Sequence, residues 1–142
     1  MDSTEIENLL KGLENEENAS LLELDMSIIK SQKNDILQRM QFSKDDLRTY
    51  HKKLSDYRYV DEVKDLRYGS FIRWFNISHT DDIKLSLGGI LCDIKVVNDG
   101  IHLVCKNFRH KHIQIRMDEC IIFQKLSDQE RIILDVVGYL NK

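Results

Sequence analysis

Between Lys106 and Arg116 the chain sets Lys106, Arg109, Lys111 and Arg116 among His110, His112 and the ring of Phe108. Cations meet phosphate oxygens and an aromatic face stacks on a base. Lys106, Phe108, Arg109, Lys111 and Arg116 are therefore the candidate contacts if the protein binds nucleic acid. The same residues also suit a solvated hairpin with one Phe turned inward. A formal net charge of −3 supplies no long-range pull on a polyanion.

A second group runs from Tyr57, Arg58, Tyr59, Asp61 and Glu62 through Asp65, Arg67 and Tyr68 to Arg73 and Trp74. Rings and guanidinium groups dominate interface hot spots, and they also serve as internal hinges. The expectation is an internal role, with Arg58 or Arg67 paired to Asp61, Glu62 or Asp65.

Cys92, His102, Cys105, His110, His112 and Cys120 include metal-binding types, but no Cys-x2-Cys or comparable close pair is present. No metal or other cofactor is expected. Gly-rich phosphate loops, Gly-x-Ser-x-Gly and His-Glu-x-x-His are absent from the sequence. The paired acids Asp81-Asp82 and Asp118-Glu119 fall where turns want polar residues. The chain is expected not to be an enzyme.

The elements that would carry these residues follow from two different periods. In 142 residues there are 21 Lys+Arg, 24 Asp+Glu, 42% hydrophobic residues, six Gly and no Pro, which suits one modest core with much solvated surface. No apolar run approaches the roughly 20 residues of a membrane span. The acidic start is unlike a signal peptide, and three widely spaced cysteines argue for reduced thiols. A soluble, cytoplasmic protein is expected. Residues 1–67 carry 11 basic and 15 acidic residues, and residues 68–142 carry 10 and 9. The first part reads as a helical arm and the second as a β domain.

In the arm, Thr4-x-x-Glu7 is a capping box that starts a short helix with Ile6, Leu9, Leu10 and Leu13 on one face. Glu14–Ser20 reads as an acidic linker. From Ala19 to Tyr57 a seven-residue register places Ala19, Met26, Lys33, Met40, Leu47 and Leu54 at one core position. The other position takes Leu22, Ile29, Ile36, Ser43, Tyr50 and Tyr57. No Gly or Pro interrupts this stretch, so one helix of about 58 Å is predicted, at about 1.5 Å per residue. It would bury its stripe against another copy or a partner helix through Met26, Ile29, Ile36, Met40, Leu47, Tyr50 and Leu54. The competing expectation is a helical hairpin that breaks at Ser43, where Ser43-x-x-Asp46 resembles an N-cap.

Beyond Tyr68 the pattern turns to strands. Ser70–Ile77, Ile83–Leu87, Ile90–Val97, Ile101–Cys105, His112–Met117 and Cys120–Lys125 are predicted strands, with Asp99-Gly100 marking a tight hairpin. Ser127-x-x-Glu130 caps a last helix that carries Ile132, Ile133, Val136, Val137 and Leu140. The predicted fold is α+β: an N-terminal helical arm or coiled coil, a small antiparallel SH3- or Sm-like β-barrel, and a C-terminal helix covering it.

Four stretches carry a resemblance: Tyr57–Val63, Leu66–Trp74, Gly88–Ile94 and Ile122–Leu126. Over about residues 57–126 the chain resembles a group of small uncharacterised proteins of nucleocytoplasmic large DNA viruses. The resemblance implies a viral source and an infected-cell or virion setting, and it carries over no activity and no site residue. The functional expectation is a non-enzymatic assembly or adaptor module that binds itself or another protein's helix. The alternative is a nucleic-acid-binding module that uses the basic loop, and no membrane partner is expected.

Overall fold

The structure is a computed structural model that describes Thr4 and residues 25–78 and 81–140. Apart from Thr4, the expected first helix, the acidic linker and the register positions Ala19 and Leu22 lie outside the described residues. The described chain is α+β, with helices and a six-stranded antiparallel sheet. It divides into two compact units, residues 1–52 with 126–142 and residues 53–125. The division therefore falls at 52/53 and 125/126 rather than at 67/68, and the last helix belongs with the first helices.

In the helical unit, α1 spans Met26–Arg39, α2 Lys44–Lys53 and α3 Asp128–Leu140. The single helix expected over 19–57 is thus two helices where the structure describes it. Asp25 caps α1, its carboxylate accepting from the Ile28 N–H at 2.9 Å. Gln41 then takes a left-handed φ of 58° and turns the chain. The Ser43 hydroxyl accepts from the Asp46 N–H at 3.2 Å to start α2. The ring of Phe42 packs 4.8 Å from that of Tyr50 across this corner. No Gly or Pro marks the break, because Gln41 adopts a conformation usually left to glycine.

The buried residues of α1 are Ile29, Lys33 and Leu37. Extending the row back to Met26 gives an eleven-residue spacing to Leu37, close to the natural helix period, so the buried stripe leaves the seven-residue register at Ile36. Ile29 packs with Leu126, Ile133 and Leu134, joined by Met26 and Val137. The last helix therefore buries its apolar side against α1. Its capping box forms as expected, with the Glu130 N–H donating to the Ser127 hydroxyl at 3.1 Å and the Ser127 N–H donating to Glu130 Oε1 at 3.0 Å.

In the sheet unit, the strands are β1 Tyr57–Val60, β2 Phe71–Asn76, β3 Gly89–Val97, β4 Gly100–Lys106, β5 His112–Arg116 and β6 Cys120–Lys125. Their order is β1-β6-β2-β3-β4-β5. The sheet is open, with β1 and β5 as edges, and does not close as a barrel. One core runs across it nevertheless: Val60 of β1 and Ile115 of β5 share a cluster with Ile72, Trp74, Leu91, Leu103 and Ile122. Residues from both edges reach the same cluster, so the sheet must curl around it. At β2 and β6 both faces are buried, since Phe75 and Phe123 are as inaccessible as Trp74 and Ile122. The Phe75 and Phe123 rings meet edge to face at 5.9 Å.

Two strand expectations change. Tyr57–Val60, read as the helix end, is β1 and pairs antiparallel with β6 through Tyr57↔Lys125 to Val60↔Ile122. Ile83–Leu87 forms no strand and makes one isolated bridge, Phe75↔Leu85, with the Ser86 N–H donating to the Trp74 carbonyl at 2.8 Å. The expected hairpin between β3 and β4 forms, but its two turn residues are Asn98 and Asp99 rather than Asp99 and Gly100, with Val97 opposite Gly100.

Candidate functional site

The sheet unit presents one face of unusual composition, the hairpin of β4 and β5. From Gly100 to Met117 the chain has four Lys or Arg and three His and no carboxylate. The connecting loop is built on Asn107. Its N–H donates to the Lys111 carbonyl at 2.9 Å, and its carbonyl accepts from the His110 N–H at 2.9 Å. Its side-chain oxygen accepts from the N–H groups of Arg109 at 2.9 Å and Lys111 at 3.0 Å. His110 takes a left-handed φ of 62°, which tightens the turn. Phe108, Arg109, His110 and Lys111 are left exposed on a defined loop. The Phe108 ring is 68% accessible and carries the Arg109 guanidinium 5.7 Å from its centroid, so it is turned outward.

Four of the five proposed nucleic-acid contacts, Lys106, Phe108, Arg109 and Lys111, are in or beside this loop. Arg116 is not. It lies at the far end of β5, where it donates to both carboxylate oxygens of Asp118 at 3.1 and 3.2 Å and to the Asp99 carbonyl at 2.8 Å. The bond it donates to Asp118, then the charges of Asp118, Glu119 and Asp99, hold its guanidinium above its usual pKa. Arg116 thus ties the β3–β4 turn to the turn after β5. Beside it His102 reaches Asp99 Oδ1 at 3.2 Å through one ring nitrogen and Gln114 at 2.8 Å through the other.

The Asn107–Lys111 bond also sets the phase of the strands. In an antiparallel hairpin, pairs that exchange hydrogen bonds alternate with pairs that do not. Because 107 and 111 bond, Lys106↔His112 does not, Cys105↔Ile113 does, and the pattern continues to His102↔Arg116. The N–H groups of His112, Gln114 and Arg116 and the C=O groups of His112 and Gln114 therefore point away from β4, while the Arg116 carbonyl opens the 3-10 turn Met117–Glu119. On the core face of the same strand Ile113 is 37% accessible. The edge carries no Pro, bulge or strand Lys of the kind that protects sheet edges. The other edge differs: Tyr57, Arg58 and Val60 of β1 are all buried.

The expected helix interface fares differently. Ile29 and Leu54 are buried, and Met26, Ile36, Met40, Leu47 and Tyr50 are half-buried, so none of the seven stands exposed for a partner. Lys33, the polar member of the row, is itself buried, and burial followed by the charge of Lys33 lowers the pKa of His51.

The expected Arg58/Arg67 hinge includes bonds to backbone groups of Asp65 and Arg67. Arg58 donates to the Asp65 backbone carbonyl at 3.3 Å. The hub is Gln124: its amide donates to that same carbonyl at 2.9 Å, while its oxygen accepts from the Arg67 N–H and the Ser70 hydroxyl, each at 2.9 Å. A lone Gln in an apolar strand was the signal for this hub in the sequence.

Among the described residues no group of three or more His, Cys, Asp or Glu is placed to hold a metal ion. Burial pushes the Cys105 thiol up to about 12 and the Cys120 thiol up to about 11, the behaviour of packing residues. A depression of about 350 Å³ is lined by Asp61, Gly100, Ile101, Met117 and Asp118, which offer two carboxylates and no thiol, hydroxyl or imidazole. No described helix is long and apolar enough to cross a membrane. Comparison with protein-family models, curated proteins and solved structures finds no match.

Proposed function

We propose that the chain is a non-enzymatic assembly or adaptor module, and that it docks polypeptide at the β5 edge beside the basic hairpin. The single observation that carries this reading is the row of backbone N–H groups at His112, Gln114 and Arg116 that points away from β4. Such a row accepts a further strand, and the side chains beside it set which strand is taken. The curled sheet serves as a small SH3- or Sm-like scaffold for this edge. The apolar helix row, packed within the chain, is the weaker candidate for docking.

Nucleic acid remains the second reading, favoured by one observation, the exposed Phe108 ring with Arg109 against it. One titration separates the two. A peptide copying residues 108–120 serves as a strand probe, and single- and double-stranded nucleic acids serve as the competing ligands across a salt series. A docking module binds the peptide and loses it on Gln114→Pro, which removes one outward N–H and leaves the β4 ladder intact. Nucleic-acid binding with a steep salt slope that falls on Arg109→Ala, without peptide binding, overturns the proposal.

A further inference from the structure

We infer that the occupant of the β5 edge is the β5 strand of a second copy, paired antiparallel about Gln114. This rests on the reading of β5 as a docking edge and names its partner. The outward N–H groups fall at 112, 114 and 116, and only a pairing centred on 114 sets all three against the edge of the other copy, as Gln114↔Gln114 and His112↔Arg116 twice. Any other antiparallel register in phase wastes at least one.

That register has two consequences that were not used to choose it. On the core face Ile113 of each copy comes opposite Ile115 of the other, so the half-exposed Ile113 gains an apolar neighbour and the core continues across the junction. An antiparallel pairing also brings the loop before β5 of one copy, with Arg109 and His110, to the same end of the junction as the turn after β5 of the other, with Asp118 and Glu119. Arg109 has no described acid partner within its own chain. Bases before one end of β5 and acids after the other make the edge electrostatically self-complementary, as a two-fold contact requires. A head-to-tail contact of β5 on β1 is disfavoured because the β1 residues are buried. The product is a two-fold dimer with one continuous twelve-stranded sheet, six strands from each chain.

The test is sedimentation of the full chain from roughly 1 µM to 1 mM, with variants that separate edge, side chain and charge. The wild type is expected to dimerise with rising concentration. Gln114→Pro weakens the dimer at least tenfold by deleting two central hydrogen bonds, whereas Gln114→Ala, which keeps the N–H, dimerises like the wild type. Arg109→Glu and Glu119→Arg each weaken it, and the two together in one chain restore it, because the two-fold axis brings the loop before β5 of one copy to the same end of the junction as the turn after β5 of the other. A dimer indifferent to Gln114→Pro, or a double reversal that fails to restore association, overturns the inference. A wild type monomeric throughout also overturns it. In that case binding of the 108–120 peptide shows that the docking reading survives without the second copy, and its absence sinks both.

Discussion

The Gln124 side chain reaches out of β6 to accept a hydrogen bond from the Arg67 backbone N–H at 2.9 Å, although the two residues are 57 apart in sequence. With its bonds to Ser70 and Asp65, this contact fastens the whole connection between β1 and β2 to the centre of the sheet. Gln124 is 1% exposed, so water cannot replace any of these bonds.

Gln124→Leu therefore leaves the Arg67 N–H and the Asp65 carbonyl without their amide partner. The expected loss is roughly 3 kcal/mol, from two or three buried polar groups stripped of a partner. Chemical denaturation of the variant against the wild type measures it. A loss below about 1 kcal/mol would show that the connection is held by its apolar residues alone.

Gln41→Gly is expected to stabilise the chain. The left-handed φ of 58° at Gln41 costs a side-chain-bearing residue about 1 kcal/mol, and glycine recovers most of it less its own backbone entropy. A gain of roughly 0.5 kcal/mol corresponds to a rise of one to two degrees in Tm for a chain of this size. Thermal unfolding checks the sign, and a fall in Tm means that α1 and α2 run on as one helix.

That corner also shows how much of the fold could be read from the sequence. The Ser127–Glu130 box, the existence of the β3–β4 hairpin, five of the six strands and the Ser43 cap all depend on neighbours in the chain, and each is visible in the residue pattern. The end of α1 depends on a Gln in a conformation its type rarely adopts, so no residue announced it. Tyr57–Val60 satisfied a heptad position and a strand equally well, and only its pairing with β6 decides between them. The basic loop was legible as a cluster, but the separation of Arg116 from it was not. Five strand residues lie between the loop and the Asp99–Asp118 pair, and spacing alone cannot tell which acid a cation will find. The β5 edge was illegible for the same reason, since an unpaired strand is defined by the strand that is missing.

Gly88 and Gly89 lead into β3 where backbones crowd. Gly88 sits at φ +88°, and a Cβ there would collide with the Ile72 carbonyl and come 2.8 Å from Arg73 Cγ. Gly88→Ala combines left-handed strain with overpacking and should cost about 3 kcal/mol. Gly69, at φ +83° with nothing within 4 Å, provides the control, because its alanine variant carries the strain without the collision. Equal losses in the two variants, measured by denaturation, would mean that the crowding at Gly88 is relieved by movement of β2.

The two arginines of the hairpin should behave oppositely. Arg116→Ala breaks the bonds to Asp118 and to the Asp99 carbonyl, so amide exchange in the β3–β4 turn should speed up and Tm should fall. Arg109→Ala touches only the face of Phe108 within its own chain and should leave Tm unchanged at concentrations too low for association. Exchange measured by mass spectrometry distinguishes them. Equal behaviour would mean that Arg116 is not the tie between the turns.

The cysteines give a pH-dependent prediction with a definite sign. Burial raises the Cys105 thiol to about 12 and the Cys120 thiol to about 11, from an ordinary value of 9.0, while Cys92 is exposed at the β3 bulge. In the unfolded chain both buried thiols ionise near their ordinary value, so above it the unfolded state has shed protons that the folded state still holds. Stability from this source is full below about pH 9 and declines as pH rises toward the folded values. Alkylation at pH 8 should accordingly modify Cys92 alone in the native protein and all three cysteines after denaturation. A Cys105→Ala, Cys120→Ala variant should flatten the alkaline arm of the stability curve, and an unchanged arm would assign that loss to other groups.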